Sequence, residues 1–343
     1  PVSDRIKPIC KHFKNCGGCS LQHASDTIIA DWKIKKTQDA LSQVNLYPKF
    51  RPIINSKKES RRRATFAAKR TKKGSMVGFH SRASNIIVEV TECPVSDPII
   101  LSGIPAFSQF AILGSSRKSV LRISATVSGY GLDVRVENGK ELSPTEISQF
   151  AQICDQYKIL RLVWNEDVIA QSNPPGQTMG SVNIVPPSGA FLQATKTGEA
   201  ELIKNVLEII GTSKKVVDLF SGCGTFTLPI SSKASVYAVE GDRNMIEALD
   251  AGWRAAGGLH DIKSETRDLF RRPLMPDEFK KVDVIVIDPP RAGALSQVTE
   301  ISKTNVGRIA FVSCNPTTFA RDAAILCNNG YNLDWVQVVD QFL

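Results

Sequence analysis

The 343-residue sequence lacks the long apolar runs, export signal and cysteine density that would define several protein classes. No stretch of about 18 apolar residues occurs, so no transmembrane helix is expected. The first residues, from Pro1 to Arg5, contain no apolar export segment, and we expect a cytoplasmic protein with no membrane partner. Because an initiator Met is missing, we expect that the chain has been trimmed or that its start is not covered. The remaining composition, 42% hydrophobic and 22% charged, is that of a globular protein.

The eight cysteines are too few for a disulfide scaffold, but they are unevenly placed. Cys10, Cys16 and Cys19 lie within ten residues, and Cys93 stands alone before Pro94. In a reducing compartment, clustered thiols favour metal ligation over disulfides. Three close thiolates, one distant thiolate and a following proline suit a cubane iron–sulfur cluster. Zinc would use the same four thiolates, so the spacing leaves both metals open.

Hydrophobic periodicity predicts an α/β protein with two unlike domains. Between about residues 53 and 180, short β-rich runs punctuated by Gly, Asn and Ser predict a mainly antiparallel β domain. From about residue 196, buried strands alternate with helices, which predicts a parallel, doubly wound sheet. The segment from Asn45 to Pro52 carries two prolines and is interpreted as a connection. The resulting division is a cysteine-rich segment (1–24), a helix packing on the C-terminal domain (25–45), a central domain (46–187) and a C-terminal domain (188–343).

A glycine-rich turn follows the first strand of the predicted parallel sheet. Gly222 and Gly224 lie in this turn, where a ligand can approach the backbone closely. A dinucleotide fingerprint requires a third glycine at position 227, which is Thr227, and a phosphate-binding Walker loop requires a lysine that is absent. Glu240 ends the next predicted strand, where a carboxylate can accept hydrogen bonds from a ribose diol. This combination suits S-adenosylmethionine, which has a ribose but no phosphate.

Two further strands end in residues that could take part in a reaction. One strand delivers Asp288, followed by two prolines and Arg291, to the carboxyl edge of the sheet, where open α/β folds bind ligands. Amino-methyltransferases carry an aromatic residue at the position of Arg291, so an exocyclic amine is a less expected target. Another strand ends at Cys314. A lone cysteine is often a small core residue, and Cys314 is equally well interpreted as a nucleophile.

Taken together, the motifs beginning at Asp218 (Asp-Leu-Phe-Ser-Gly-Cys-Gly), Asp288 (Asp-Pro-Pro-Arg) and Ser313 (Ser-Cys-Asn-Pro) resemble the RNA 5-methyluridine (uracil-C5) methyltransferases. The chain most resembles the iron–sulfur branch that modifies 23S ribosomal RNA. This resemblance implies a Rossmann-like class I methyltransferase domain using S-adenosylmethionine. It also implies that Cys314 is the nucleophile. The residues that it implies as cofactor contacts are Gln193, Phe220, Thr225, Glu240, Asp268 and Asp288. The implied ligands of a [4Fe-4S] cluster are Cys10, Cys16, Cys19 and Cys93.

The resemblance also implies a reaction and reveals two departures. A thiolate adding to uracil C6 makes C5 nucleophilic toward the methyl donor, and Arg291 or the sulfonium is a candidate for favouring the thiolate. Many relatives begin with a small β-barrel RNA-binding domain, which does not precede Pro1 in this sequence. The family's general-base glutamate is expected beyond Leu343, so no base is named in this sequence.

The expected partner is RNA, and the protein is expected to be a monomer. The sequence carries 43 Lys and Arg against 34 Asp and Glu, a net charge of +9, which favours a polyanion. Residues 57–73 hold nine basic residues and one acidic residue, and we expect this run, including Arg61, Arg62 and Arg63, to contact phosphates. A solvated hairpin is the alternative. The same chemistry on tRNA, and a non-catalytic RNA-binding metal protein, are the competing functions.

Overall fold

The computed structural model describes residues 4–342, and the helices and strands below are those of this range. The helices are α1 (Asp26–Ser42), α2 (Pro98–Ser102), α3 (Ile104–Gly114), α4 (Pro144–Gln156), α5 (Lys196–Ile210), α6 (Thr227–Ser231), α7 (Arg243–Ala256), α8 (Leu295–Ile301) and α9 (Pro316–Asn328). The strands of the first half are β1 (Lys49–Asn55), β2 (Arg63–Arg70), β3 (Ser75–His80), β4 (Ile87–Glu89), β5 (Leu121–Ser128), β6 (Gly131–Glu137), β7 (Ile159–Trp164) and β8 (Asp167–Gln171). The later strands are β9 (Gln177–Met179), β10 (Val182–Ile184), β11 (Lys215–Leu219), β12 (Ser235–Glu240), β13 (Ile262–Thr266), β14 (Val284–Ile287), β15 (Arg308–Phe311) and β16 (Trp335–Asp340). Within this range, no helix is both long and apolar enough to span a bilayer.

The central domain is a seven-stranded sheet in the order β4-β3-β2-β5-β6-β7-β8, within the described residues. All neighbouring pairs are antiparallel except β6 and β7, which α4 connects as a parallel crossover. Helices α3 and α4 pack on this sheet, and the core includes four fully buried phenylalanines, Phe66, Phe107, Phe110 and Phe150. The predicted β-rich domain is confirmed.

The C-terminal domain contains a parallel sheet in the order β13-β12-β11-β14-β15. Every residue of β14 is buried, as expected for a strand covered on both faces by helices. The direction in which strands are added to the sheet reverses at β11. Strands β12 and β13 lie on one side of β11, and β14 and β15 lie on the other. Ligands of open α/β sheets bind at the carboxyl ends of the strands at such a reversal. The predicted α/β, Rossmann-like class is confirmed.

One sequence interpretation is wrong: the segment read as a connection contains strand β1 from Lys49 onward. This strand pairs in parallel with β16, at the other end of the chain. The register shifts between Arg51 and Ile54, around Pro52, which has no N–H to offer to the ladder. The Arg51 guanidinium lies 3.6 Å from the Trp335 ring centroid, which adds a cation–π contact across the pair. No local pattern shows a pairing between such distant segments.

Two elements from outside the parallel sheet pack on the C-terminal domain. Helix α1 packs against α9, where Leu41 is fully buried beside Phe319. The β9–β10 hairpin packs on α7, and Gly252 of that helix leaves the space that the Ile184 side chain fills. A Cβ atom at position 252 would lie only 2.3 Å from Ile184 Cγ2. The core beneath the sheet therefore includes residues that precede the predicted boundary at residue 187.

Candidate active site

The turn after β11 is sharply folded. Phe220, Gly222 and Gly224 have φ values of 60°, 57° and 96°, in the left-handed region that favours glycine. A Cβ atom on Gly224 would lie 2.5 Å from Leu249 Cδ1, so only glycine fits the close approach to α7. The backbone of this turn therefore packs closely on α7, which leaves space for a ligand at the carboxyl end of β11.

Glu240, at the end of β12, holds this turn. Its Oε2 accepts from Gly222 N at 2.9 Å, and its Oε1 accepts from Gly241 N at 2.7 Å and from Asp242 N at 3.0 Å. Each carboxylate oxygen has two lone pairs, and the two on Oε1 are both used, so one lone pair of Oε2 remains for a hydroxyl group. The carboxylate is thus fixed by backbone donors and can still accept one hydrogen bond from a ribose hydroxyl.

Asp218 supports the turn from below and does not line the cavity. Its side chain is fully buried, Oδ2 accepts from Thr227 Oγ1 at 2.5 Å, and Oδ1 has no partner within the described residues. Burial, together with the smaller effect of the nearby charges of Asp288 and Glu240, raises the pKa of Asp218 to about 7, although the Thr227 hydrogen bond lowers it. Asp218 is therefore a structural carboxyl group beneath the ligand site.

Asp288, after β14, lies on the opposite side of the turn from Glu240. Burial raises the pKa of the Asp288 carboxyl to about 7. Gln193 Nε2 donates to Asp288 Oδ2 over a long 3.4 Å, and Gln193 Oε1 accepts from Gln341 Nε2 at 2.8 Å. Sequence reasoning named Gln193 and Asp288 but missed Gln341, for which no motif in the described chain gave a signal.

Cys314 lies in the loop between β15 and α9, and it is exposed. Asn315 is the N-cap of α9, where its Oδ1 accepts from Thr317 N at 3.1 Å. Asn315 Nδ2 and Thr318 Oγ1 both donate to Arg291 O, at 3.1 Å and 3.2 Å, which ties the cysteine loop to the loop after Asp288. The backbone of Arg291 therefore positions the cysteine loop, while its side chain is exposed. The thiol is neither sealed in the core nor turned away from the site.

The predicted residues all line one large, open cavity of about 1680 Å³, whose wall also extends to Trp32, Glu208 and Asn329. Its lining includes all seven, namely Gln193, Phe220, Thr225, Glu240, Asp268, Asp288 and Cys314. Asp268 is bound within its own loop: its Oδ1 accepts from Phe270 N at 3.0 Å and from Arg271 N at 3.3 Å, and its Oδ2 lies 3.5 Å from Arg271 Nε.

Exposed aromatic residues at the rim of this cavity were not predicted. Phe191 is 61% exposed, and the Arg63 guanidinium carbon lies 4.1 Å from its ring centroid. Phe342 is 51% exposed and faces Arg61 at 5.2 Å. Flat, exposed rings next to cations suit stacking with nucleic-acid bases. Their signal in the sequence was weak, because single aromatic residues are usually core.

The four clustered cysteines come from two segments that face one another. All four are partly buried, and Gly17 N donates to His80 O at 3.0 Å to anchor their loop. Burial raises the pKa of the Cys19 thiol, and nearby Cys93, Cys16 and Cys10 raise it further against a hydrogen bond from Gln22. No three His, Cys, Asp or Glu side chains between residues 4 and 342 form a ready-made metal cage. The four thiols are near enough to raise the pKa values of Cys10 and Cys19, but in the described residues they are not drawn together around a single point.

The basic run 57–73 is only partly a free surface. Arg62 is 3% exposed and forms an ion pair with Glu199 of α5, so the expectation that it contacts phosphates is wrong. Its Nε donates to Gln193 O at 2.8 Å, which places it beneath the active site. Arg61 and Arg63 are half-buried against Phe342 and Phe191. In an extended chain Arg61 and Arg63 point to one face and Arg62 to the other, but the sequence does not show which of the two faces is buried.

The parallel sheet, its strand order and the glycine turn at its reversal point define a Rossmann-like S-adenosylmethionine-dependent methyltransferase. Residues 182–343 match the family model described as tRNA (uracil-5-)-methyltransferase. An RNA methyltransferase of Rhizobium meliloti is 40% identical, over 99% of this chain and 83% of its own length. A 23S rRNA (uracil(1939)-C(5))-methyltransferase, RlmD, of Pseudomonas syringae pv. tomato is 31% identical, over 98% of this chain and 78% of its own length. The chain belongs to the uracil-C5 RNA methyltransferase family.

A solved structure agrees with the fold. The Pyrococcus abyssi tRNA (uracil-54, C5)-methyltransferase in complex with S-adenosyl-L-homocysteine superposes with a TM-score of 0.73. The alignment covers 95% of this chain and 83% of that chain at 22% identity. At that identity the likeness concerns the fold, and it extends over both domains described above.

Proposed function

We propose that the protein methylates C5 of a uridine in 23S ribosomal RNA through a covalent adduct between Cys314 and uracil C6. One observation carries the proposal: an exposed thiol opens into the same cavity as Glu240 and Asp288. Three strand ends thereby supply, at one sheet edge, a nucleophile and the acceptors for a methyl donor. The aromatic and cationic rim is where a base leaving its stack would enter.

Each residue has a distinct role in the proposed reaction. Glu240 accepts a hydrogen bond from a ribose hydroxyl at Oε2, and Thr225, Phe220 and Asp268 line the rest of the cofactor site. When bound, S-adenosylmethionine supplies an electrophilic methyl group on its sulfonium. The Cys314 thiolate would add to C6, and the electron pair released at C5 would form the new bond to the methyl carbon while the methyl–sulfonium bond breaks and the neutral thioether, S-adenosylhomocysteine, leaves. A base then removes the C5 proton, and elimination of the thiolate restores the ring double bond.

The direct test replaces the nucleophile. Cys314→Ala should abolish transfer of labelled methyl groups to RNA and leave the Kd for S-adenosylhomocysteine within about twofold, because the thiol is proposed to bind the base. Cys327→Ala, on α9, is the matched control for removal of a thiol and should retain turnover. Turnover that survives in Cys314→Ala would contradict the mechanism.

A second test traps the adduct. In RNA that carries 5-fluorouridine, C5 holds fluorine where the base must remove a proton, so the thiolate cannot leave. The wild-type protein should therefore form a protein–RNA species that survives denaturing electrophoresis, and Cys314→Ala should not. A species that forms equally in both proteins would show that another nucleophile acts.

The choice of 23S ribosomal RNA has two supports. The RlmD relative is named for that substrate, and the four cluster-type cysteines match the branch that modifies it. Methylation assays on 23S rRNA and tRNA, followed by mapping of 5-methyluridine, decide between them. Modified tRNA with unmodified 23S rRNA would show that the substrate is tRNA. RNA binding with no methylation of either would favour the non-catalytic RNA-binding metal protein.

We also propose that Cys10, Cys16, Cys19 and Cys93 hold a [4Fe-4S] cluster. Methylation of uracil needs no electron transfer, so the role assigned to the cluster is to join the N-terminal segment to the central domain. Protein purified without oxygen should contain about four iron and four sulfide per chain and absorb visible light. If the protein instead contains one zinc per chain and no sulfide, the four cysteines form a four-thiolate zinc site and not a cluster.

A further inference from the structure

Gln341 is held between the start of α5 and the carboxamide of Gln193. Its Oε1 accepts from Thr195 N at 3.2 Å, and its Nε2 donates to Gln193 Oε1 at 2.8 Å. Gly198 of α5 makes room for it, since a Cβ atom there would lie 2.5 Å from Gln341 Cγ and 2.6 Å from Cδ. The residue therefore sits in a slot with a polar partner at each end of its amide.

The direction of these hydrogen bonds follows from the backbone. A backbone N–H can only donate, so the Gln341 atom that faces Thr195 N must be the oxygen. The Gln341 amino group then points at Gln193, whose facing atom must also be an oxygen. As a result, the amino group of Gln193 is turned away from Gln341 and toward Asp288, which also favours a donor.

The backbone carbonyl of Gln193 is fixed as well, so the amino group of its side chain is the part that can face a ligand. Arg62 Nε donates to Gln193 O at 2.8 Å, and the Arg62 backbone N–H donates to Ala194 O at 3.0 Å. With its backbone carbonyl bonded to Arg62, its side-chain oxygen occupied by Gln341 and one amino hydrogen directed at Asp288, Gln193 presents its remaining N–H donor to the cavity that it lines.

We infer that Gln341 is a positioning residue that orients the Gln193 carboxamide, so that the cavity offers an N–H donor to an acceptor oxygen of its ligand. The inference rests on the proposed function, in which this cavity holds the methyl donor and the target uracil. The acceptor oxygen belongs either to the carboxylate of S-adenosylmethionine or to a uracil carbonyl, and the experiment separates these two sources.

The test uses two variants of similar size with opposite consequences. Gln341→Glu still accepts from Thr195 N but cannot donate to Gln193, so it should turn the Gln193 amino group away from the cavity. Gln341→Met imposes no direction on Gln193. Gln341→Glu should therefore weaken ligand binding or turnover about tenfold or more, and Gln341→Met by about threefold. A purely structural role predicts the reverse order, because the glutamate keeps the bond to the backbone.

The readouts are the Kd for S-adenosylhomocysteine by calorimetry, and kcat and KM for RNA at saturating S-adenosylmethionine. A raised Kd places the acceptor oxygen on the methyl donor, whereas an unchanged Kd with a raised RNA KM places it on the uracil. In a Gln193→Ala background, Gln341→Glu should have no further effect on either quantity. Gln337→Glu is the matched control, since Gln337 lies on β16, which ends one residue before Gln341, and donates to Pro52 O at 2.8 Å instead.

Three results would overturn the inference: equal effects of the glutamate and methionine variants, an effect that persists without the Gln193 amide, or an equal effect of Gln337→Glu. Each requires that the wild-type protein binds S-adenosylhomocysteine and methylates RNA, which keeps the proposed function intact. A wild-type protein that does neither would overturn the proposed function and this inference together.

Discussion

The Arg62–Glu199 ion pair gives the sharpest test of how the two domains are joined. The side chains are 3% and 7% exposed, and Arg62 also donates to Gln193 O. Removing one partner leaves the other charge buried without compensation, at a cost of about 3–5 kcal/mol. We expect Arg62→Met to lower the free energy of unfolding by that amount. For a domain of this size, the corresponding fall in Tm is roughly 10 °C.

The matched variant removes both charges. Replacing a buried ion pair by apolar residues of similar volume is often close to neutral, so Arg62→Met combined with Glu199→Met should recover about 2–4 kcal/mol of the loss. The recovery is incomplete, because Gln193 O still loses its donor. Urea unfolding and thermal unfolding, followed by circular dichroism, measure both variants against the wild type.

The same variant tests the sequence-based expectation for Arg62. A phosphate contact would leave Tm unchanged on substitution and reduce the slope of log K for RNA against log salt by about 1. The buried pair predicts the opposite pattern, a large loss of stability with an unchanged slope. A double variant as unstable as Arg62→Met alone would refute the ion-pair reasoning.

Three further predictions concern the site and its surface. Because burial raises the pKa of Asp218 to about 7, the folded state holds a proton that the unfolded state has lost above pH 4. Stability should therefore fall with rising pH between about 4 and 7, and Asp218 should contribute up to about 1.4 kcal/mol per pH unit to this slope. Asp218→Asn should remove that contribution in urea titrations and leave the one from Asp288, whose pKa burial also raises to about 7; an unchanged slope would refute it. Gly198→Ala should stabilise α5 locally yet displace Gln341, so it should raise the Kd for S-adenosylhomocysteine or the RNA KM with little change in Tm; unchanged values of both would contradict that geometry. The exposed pair Lys72 and Lys73, changed to Glu, should weaken RNA binding and reduce its salt slope by about 2, and an unchanged slope would exclude this turn from the RNA surface.

Local patterns were sufficient for the sheet that carries the chemistry. Apolar runs such as Val284–Ile287 are buried on both faces, and a run of this kind followed by a polar residue indicates a parallel strand and its carboxyl end. Because the carboxyl ends of parallel strands share one edge, the order of motifs along the chain was enough to predict that Glu240, Asp288 and Cys314 lie together. All three residues line the same cavity.

Pairings between distant segments were beyond local patterns. Strand β1 pairs with β16, and Gln341 meets Gln193, through contacts that join widely separated parts of the chain. Nothing in the residues around Pro52 or Gln341 encodes which partner they meet, since the partner is chosen by the packing of the whole domain.

The sequence by itself determined the class of fold and the residue types in the glycine-rich turn after β11 and in the loop that contains Cys314. These depend on periodicity, on glycine conformations and on short motifs, all of which are local. Only the tertiary structure decided the fate of individual side chains: Arg62 is buried in an ion pair while Lys72 and Lys73 in the same basic run are exposed. Charge is a property of the residue, but whether that charge meets a carboxylate or water depends on what packs against it.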